Sequence, residues 1–337
     1  MSVVTEMIAS HRNTKAAAEG LSSTKLAGKA QDGNTGAVLL KKGTLRRLNK
    51  ASLLEHHPVK MILTDMDGTF LDSHHAASKP NVEAFASLKC RGIVGVIATG
   101  RPRQSVISGV GLPTFQCMMN HAAGPGIFMN GSVVYGPEGE IIFERHIETE
   151  AQRKVLRTLE GLGWRNRVCG YNSHGIYCEE KNDVNWRLHL EYGEPEPVLV
   201  PEGRLDEMKF SKLIINGTDN EIDVLRPSLE CKLPAGAKCV RPLTWNLEVI
   251  PTGISKATGM KVLLDHYGFS SSNVLTMGDS ENDIEMFRAS GISVAVKNAS
   301  DIAKQAAGYE TVSNDQHAFA EVVATICESR QGCPFPF

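Results

Sequence analysis

Several features are missing from this chain of 337 residues. No apolar run approaches the roughly 20 residues that a bilayer-spanning helix needs, so no membrane anchor is expected. The eight cysteines are scattered, with no Cys-x-x-Cys pair. That spacing argues against a zinc site or a disulfide framework, and for reduced, buried thiols in an intracellular protein. Strong charge is absent too: the formal net charge is -2, which does not suit a nucleic-acid binder. Internal repeats and low-complexity tracts are also lacking. What remains, 42% hydrophobic and 22% charged, is the composition of a soluble globular protein, long enough for two domains.

Acids are scarce in residues 1–59, where Glu6, Glu19, Asp32 and Glu55 face recurrent basic residues such as Arg12, Lys25, Lys41, Arg46 and Arg47. Such a segment reads as a flexible extension. An organelle-targeting segment is the alternative, with Thr44 to Glu55 as a basic amphipathic helix. The apolar core of a secretory signal is missing. The expected location is the cytoplasm, with import into an organelle as the alternative.

The chain is organised around Met61-Ile-Leu-Thr-Asp65-Met-Asp67-Gly68-Thr69. The apolar start reads as a buried strand. Asp65 and Asp67, two residues apart, can share one side, and Gly68 allows a sharp turn. A calcium loop would need further acids at alternating positions, where Phe70 and Leu71 stand. Beyond a short polar flap over 72–78, Pro80 opens a helix that Gly92 stops. A second strand over 93–98 runs into Thr99-Gly100-Arg101-Pro102. The proline marks a helix start, so Thr99 and Gly100 lie at a strand-to-helix junction suited to an anion. A third strand covers 126–130.

From 132 to 246 the pattern changes. Helical stretches near 148–162, 181–192 and 219–231 mix with β-rich runs near 140–145, 167–178, 208–216 and 238–249, which predicts a second α/β unit inserted into the first. The first unit resumes with a helix capped by Ser255 and closed by Gly268. Lys256 falls in its first turn, where a cation opposes the helix dipole by roughly 0.3–1 kcal/mol. That location favours an ammonium that faces an anion. A strand over 273–277 then ends in Gly278-Asp279-Ser280-Glu281-Asn282-Asp283. A helix over 317–328 follows, and 329–337 reads as a loose tail.

Alternating strands and helices imply a doubly wound, mostly parallel sheet, whose ligands bind beyond the carboxyl ends of the strands. Each polar cluster falls at such an end. Gathering Asp65, Asp67, Asp279 and Asp283 requires a counter-charge, since two like charges about 4 Å apart repel by about 4 kcal/mol at an effective dielectric of 20. One lysine is too little. Mg²⁺ suits a site of oxygen ligands that also takes phosphate, and Thr99, Lys256 and backbone N–H groups suit phosphate oxygens.

These segments resemble the four motifs of the haloacid dehalogenase superfamily of phosphotransferases: Asp65 to Thr69, Thr99, Lys256, and Gly278 to Asp283. Phe-Met-Asn-Gly (128–131), Ile-Ser-Lys-Ala (254–257) and Asn-Asp-Ile-Glu-Met (282–286) resemble the Cof-type sugar-phosphatase branch, subfamily IIB. The likeness covers about residues 60 to 325. It implies an α/β, Rossmann-like doubly wound core over 60–131 and 247–328, with 132–246 as an inserted α/β cap that sets specificity. It also implies a Mg²⁺-dependent phosphatase acting on a small phosphorylated metabolite, as a monomer or homodimer, without nucleic acid or membrane partners. Asp65 would be the nucleophile and Asp67 the general acid and base, its pKa raised by a neighbouring carboxylate. Asp65, Asp67 through its carbonyl, and Asp279 would hold the metal, and Asp283 would support that shell or orient Lys256. Thr99, Gly100, Lys256 and Asn282 would hold the phosphoryl group. The alternatives are a phosphomutase of the phosphomannomutase type and a non-catalytic binding protein. Val296-Lys297-Asn298 and Asn314-Asp315-Gln316-His317 depart from the family pattern, which puts the surface near the site in question. In the cap, His174, Asn185, Arg187 and Lys212 are polar candidates to reach the cleft, though a surface position is the ordinary account of each.

Overall fold

The computed structural model describes residues 45–119 and 123–329. The strands in chain order are β1 Arg46–Arg47, β2 Met61–Thr64, β3 Val94–Ala98, β4 Gly126–Phe128, β5 Val133–Tyr135, β6 Ile141–Glu144, β7 Val168–Asn172, β8 Gly175–Cys178, β9 Val198–Leu199, β10 Lys212–Asn216, β11 Ala237–Val240, β12 Asn246–Pro251, β13 Val274–Gly278, β14 Ile292–Ala295 and β15 Tyr309–Glu310. They form a nine-stranded sheet, β1-β15-β14-β13-β2-β3-β4-β5-β6, and a six-stranded sheet, β11-β12-β10-β7-β8-β9.

The larger sheet is parallel from β1 to β4. Its central strand β2 is buried on both faces, as its unbroken apolar run requires. Met61 and Leu63 join the cluster of Met260 and Leu263 from helix Lys256–Tyr267. Ile62 faces the other way, into the cluster of Phe85 and Phe319 from helices Lys79–Ser87 and Ala318–Ser329. Helices therefore cover both faces, and the carboxyl ends of β13, β2 and β3 lie side by side.

The expected boundaries at 132 and 247 do not follow the sheets. β5 and β6 extend the larger sheet as an antiparallel hairpin on β4, with Val133, Val134 and Tyr135 buried. At the other end β12 continues in the smaller sheet to Pro251. The smaller sheet thus takes up the chain between Glu144 and helix Lys256–Tyr267. Helices Thr149–Gly161 and Asp219–Glu230 cover one of its faces through Val155, Leu159, Ile222 and Leu225. Its other face carries Tyr171, Lys212 and Glu248.

Residues 45–59 also depart from expectation. A two-residue strand pairs with β15, and the helix is only Lys50–Leu54, started by an Asn49 and Ser52 capping box. Leu48, Leu53 and Val59 are buried, so this stretch belongs to the folded body rather than to an extension. The rest of the expected extension, residues 1–44, and most of the expected tail, 330–337, lie outside the described residues. Among the described residues, no helix is long and apolar enough to cross a membrane.

Candidate active site

Asp65 follows β2 directly, and its backbone N–H bonds Met277 on β13, so the Asp65 loop and the Asp279–Asp283 loop leave the sheet together. Gly68 then turns at φ +74, and a Cβ there would sit 2.6 Å from an oxygen of Asp279. Only glycine gives both the backbone conformation and the room. Asp65, Asp279 and Asp283 each bring one carboxylate oxygen into a group that spans no more than 4.8 Å.

Lys256 closes this group from helix Lys256–Tyr267. It is wholly buried, with its ammonium 2.5 Å from Asp65 Oδ1 and 2.7 Å from Asp283 Oδ1. Burial alone would lower its pKa, but the two carboxylates outweigh that and hold it protonated, above its ordinary value. Asp283 spends its other oxygen on the N–H groups of Asp279 and Ser280, at 3.0 and 3.1 Å. With both oxygens engaged, it orients Lys256 and the acidic loop.

Asp279 accepts hydrogen bonds from Thr69 and Ser280. Burial pushes its pKa up, and the nearby Asp283 charge adds to that. Asp65 is raised further by burial and by the surrounding carboxylates, with Lys256 opposing. Three carboxylates thus share one ammonium, and the two raised groups mark the charge left uncompensated. A hard divalent cation with oxygen ligands fits that donor set.

Asp67 does not join this group, and it departs from its expected titration. Arg101 clamps it with two hydrogen bonds, Nε at 2.8 Å and Nη2 at 2.6 Å, and His75 Nδ1 lies 3.3 Å from the same carboxylate. Burial pushes the Asp67 pKa up, but the guanidinium and His75 together bring it below the ordinary value. The carboxylate–carboxylate repulsion expected for Asp67 is outweighed by the Arg101 guanidinium, which no local pattern marks as its partner.

Thr99 is buried at the end of β3, and its hydroxyl accepts the Arg101 backbone N–H at 3.1 Å. Gly100 lies against Asn130, whose amide oxygen accepts from Asn282 at 3.1 Å. Asn130 sits at φ +55, a left-handed conformation that asparagine tolerates. The geometry therefore gathers Asp65, Asp279, Asp283 and Lys256 at one point, with Asp67, Thr99, Gly100 and Asn282 around it.

Sequence reasoning missed Arg101, His75, Asn130 and Asn298. The departures noted at 296–298 and 314–317 brace the loop that follows Asp67. Asn298 donates to the Gly68 carbonyl at 2.7 Å and accepts the Asn314 N–H at 2.9 Å, while Asn314 donates to the Leu71 carbonyl at 3.0 Å. Of the four candidates in the inserted region, His174 is exposed; Asn185, on helix Asp183–Tyr192, is buried, against its expected surface position, because its amide bonds the Asn166 and Glu180 carbonyls; and Arg187 pairs with Glu191. Lys212 alone reaches the larger sheet's loops. It is 4% exposed, with its ammonium 3.4 Å from the Gly100 carbonyl, so its ordinary reading as a surface residue is corrected.

The model of the haloacid dehalogenase-like hydrolase family matches residues 62–323. The chain belongs to that family. A chloroplastic endoribonuclease of Arabidopsis thaliana is 29% identical over 78% of this chain, which spans only 45% of that longer protein. A 5-amino-6-(5-phospho-D-ribitylamino)uracil phosphatase of Bacillus subtilis is 25% identical over 77% of this chain and 94% of its own length. Among solved structures, a HAD/COF-like hydrolase from Plasmodium vivax superposes with a TM-score of 0.75 at 27% identity, covering 83% of this chain and all of that one. The chain described here is a Cof-type member of the haloacid dehalogenase-like hydrolases, built on the family's α/β fold.

Proposed function

We propose that the chain is a Mg²⁺-dependent phosphatase that hydrolyses a small phosphomonoester through an aspartyl-phosphate on Asp65, with the smaller sheet and its helices as a cap over the site. One observation carries this reading: a fully buried ammonium bridges Asp65 and Asp283 while Asp279 stands uncompensated within ligand range. A charge deficit of that kind, beside the Thr99–Gly100 junction, suits a divalent cation together with a phosphoryl group.

The Asp65 and Asp279 carboxylates and the Asp67 carbonyl would hold the metal, which when bound neutralises the phosphoryl oxygens and raises the electrophilicity of phosphorus. Thr99, the Gly100 N–H and Lys256 hold the equatorial oxygens, and Asn282 flanks them. Asp65 attacks phosphorus, and the bond to the alcohol oxygen breaks. Asp67 gives that oxygen its proton, and the alcohol departs. The Asp67 carboxylate then takes a proton from water, the hydroxide displaces phosphate from Asp65, and both aspartates are restored. Asp67 must first acquire the proton it donates, and the Arg101 clamp opposes that. An anion at Thr99–Gly100 competes for the same guanidinium and loosens the clamp.

The phosphatase named for a ribitylaminouracil phosphate, similar over most of this chain, makes an alcohol of that size a reasonable leaving group. The cytoplasm remains the proposed location. Import into an organelle, which the chloroplastic relative favours, is the alternative, and a fluorescent fusion of the full chain separates them.

The test is phosphate release from a panel of phosphorylated sugars, polyols, nucleotides and cofactors by purified full-length chain. Release is expected with Mg²⁺, without added sugar bisphosphate, and is lost on chelation. Turnover only in the presence of a bisphosphate would favour the mutase. Absence of release from the whole panel would sink the reading.

A further inference from the structure

The cysteines are scattered along the chain, but two of them meet in the smaller sheet. Cys169 on β7 stands directly opposite Cys178 on β8, in an antiparallel hairpin turned by Ser173 and His174. Both are free thiols and both are buried. Their side chains join the cluster of Tyr171, Ile176 and Trp186, so they point to the same face of the sheet.

The backbone decides whether such a pair can be bridged. Facing positions of an antiparallel pair alternate between those that exchange backbone hydrogen bonds and those that do not, and side chains are closer at the latter. The Tyr171 carbonyl is turned away from β8 and accepts the Ser211 N–H. Cys169, two residues earlier on the same strand, has the same orientation. The Cys178 carbonyl is turned away from β7 and accepts the Val200 N–H just beyond β9. The two cysteines therefore occupy a non-hydrogen-bonded position, where Cα atoms stand about 4.5 Å apart. A disulfide spans about 4.4–6.8 Å between Cα atoms, so no strand has to move. The thiols are already in contact. A hydrogen bond from Cys169 lowers the Cys178 pKa against burial, with the Glu180 N–H assisting, while the same bond and burial raise Cys169. Cys178 is thus the thiol that ionises first, and the thiolate is the nucleophile.

We infer that Cys169 and Cys178 form a reversible disulfide site, closed by exchange with a disulfide donor of the glutathione class. The Cys178 thiolate attacks one donor sulfur, and the other donor sulfur leaves as a thiolate. Cys169 then gives up its proton, its sulfur attacks Cys178, and the second donor thiol leaves. Two protein thiols are oxidised, and one donor disulfide is reduced to two thiols. Because the pair is buried, exchange requires local opening. The outer side of β8 allows it, since β9 is only two residues long and its Val198 and Leu199 are more than half exposed. The bridge would fix the base of a hairpin whose tip reaches the larger sheet's helices: the Ser173 carbonyl accepts from Gln104 at 2.9 Å, on helix Arg103–Val110 beyond the Thr99–Gly100 loop. This inference is independent of the phosphatase reading.

Peptide mapping tests it. Folded full-length chain is equilibrated with reduced and oxidised glutathione at stepped ratios, quenched in acid, unfolded, alkylated and cut with trypsin. Arg167 and Lys181 bracket the pair, so one peptide over 168–181 carries both cysteines. As the oxidised share rises, that peptide should pass from doubly alkylated to unalkylated and lighter by two hydrogens, and dithiothreitol should reverse the change. The oxidised chain should also unfold at least about 2 °C higher, a modest gain because the closed loop is short, and a Cys169→Ser, Cys178→Ser double variant should lose that gain. A peptide that stays alkylated at every ratio overturns the inference. So does glutathione retained on Cys178 without closure, since Cys169 would then not reach it. Closure only in denaturant, or a midpoint lowered by oxidation, would show that the bridge does not fit the native hairpin. The mapping needs no variant, so it decides the matter even if the double variant does not fold.

Discussion

Replacing Lys256 by methionine tests the charge account of the site most directly. Methionine is unbranched, close to lysine in length, and apolar, so packing around the aliphatic stem is largely kept and the ammonium alone is lost. Lys256 and Asp283 are both 0% exposed and Asp65 is 5% exposed, so neither carboxylate gains a water shell when the cation leaves. Breaking a buried pair by removing one partner costs about 3–5 kcal/mol. For a folded body of this size, each kcal/mol is worth about 2–3 °C, so the unfolding midpoint in chelator should fall by about 6–15 °C. The assay is thermal unfolding followed by circular dichroism, with and without Mg²⁺. A cation at the acidic group stands in for part of the lost charge, so Mg²⁺ should raise the midpoint more in the variant than in the wild type. Lys256→Met combined with Asp283→Asn should recover part of the loss, because one of the two stranded charges is then gone. A midpoint within about 2 °C of the wild type in chelator would refute the reasoning, since the ammonium would then not be what holds the carboxylates together.

Other consequences can be measured separately. Asp65→Asn should cut phosphate release by about 10⁴-fold or more while the unfolding transition survives, and residual activity near wild type would reject Asp65 as nucleophile. Glu144 joins the two sheets: it accepts from the N–H and hydroxyl of Ser173 at 3.1 and 3.0 Å and lies 3.2 Å from His146. Burial opposes its ionisation, but these partners overcome it and push the Glu144 pKa from 4.5 down to about 2. A depressed carboxylate stabilises above its unfolded pKa and loses that contribution as pH falls through the folded one, so about 3 kcal/mol at most should disappear between pH 4.5 and 2. The midpoint gap between wild type and Glu144→Gln should close over that window, and a gap that stays constant would discount the Glu144 contacts. Finally, a chain starting at Leu45 should be more stable than one starting at His56 by about 3–6 kcal/mol, the burial of Leu48 and Leu53 at about 1.5–3 kcal/mol each; equal urea midpoints would return residues 45–55 to the status of an extension.

The legible parts of the sequence were those where local chemistry and fold agree. The apolar run Met61 to Leu63 has no polar face to expose, so it could only be a strand covered on both sides, and the polar clusters that follow β2, β3 and β13 had to share one end of the sheet. Lys256 was legible because a lysine in the first helical turn works against the dipole unless an anion rewards it, and two anions do. Residues 132–144 were not legible as part of the larger sheet. A hairpin added to β4 and a strand of an inserted unit have the same alternation, and only the pairing partner distinguishes them. The short strand and helix over 46–54 were hidden by composition: the run of basic residues dominates the stretch, while its anchoring rests on the two leucines between them. Lys212 was hidden for a related reason, since nothing local marks a lysine whose carboxylate partner stands 36 residues away on another strand.

Asp67 was the most instructive miss. Its spacing from Asp65 argues for repulsion and a raised pKa, and in a chain without Arg101 that argument would stand. The guanidinium comes from 34 residues on, after the neighbouring strand β3, in the same loop that offers Thr99 and Gly100 to an anion. The residue that keeps the acid ionised is therefore tied, through its own backbone N–H, to the hydroxyl proposed to hold a phosphoryl oxygen. Charge-assisted bonds of this kind are worth about 1.5–3 kcal/mol, comparable to one or two pKa units, so the Arg101 clamp is strong enough to suppress the acid yet weak enough for a dianionic phosphoryl group to dislodge. On that account Asp67 becomes proton-competent only when the phosphate loop is filled.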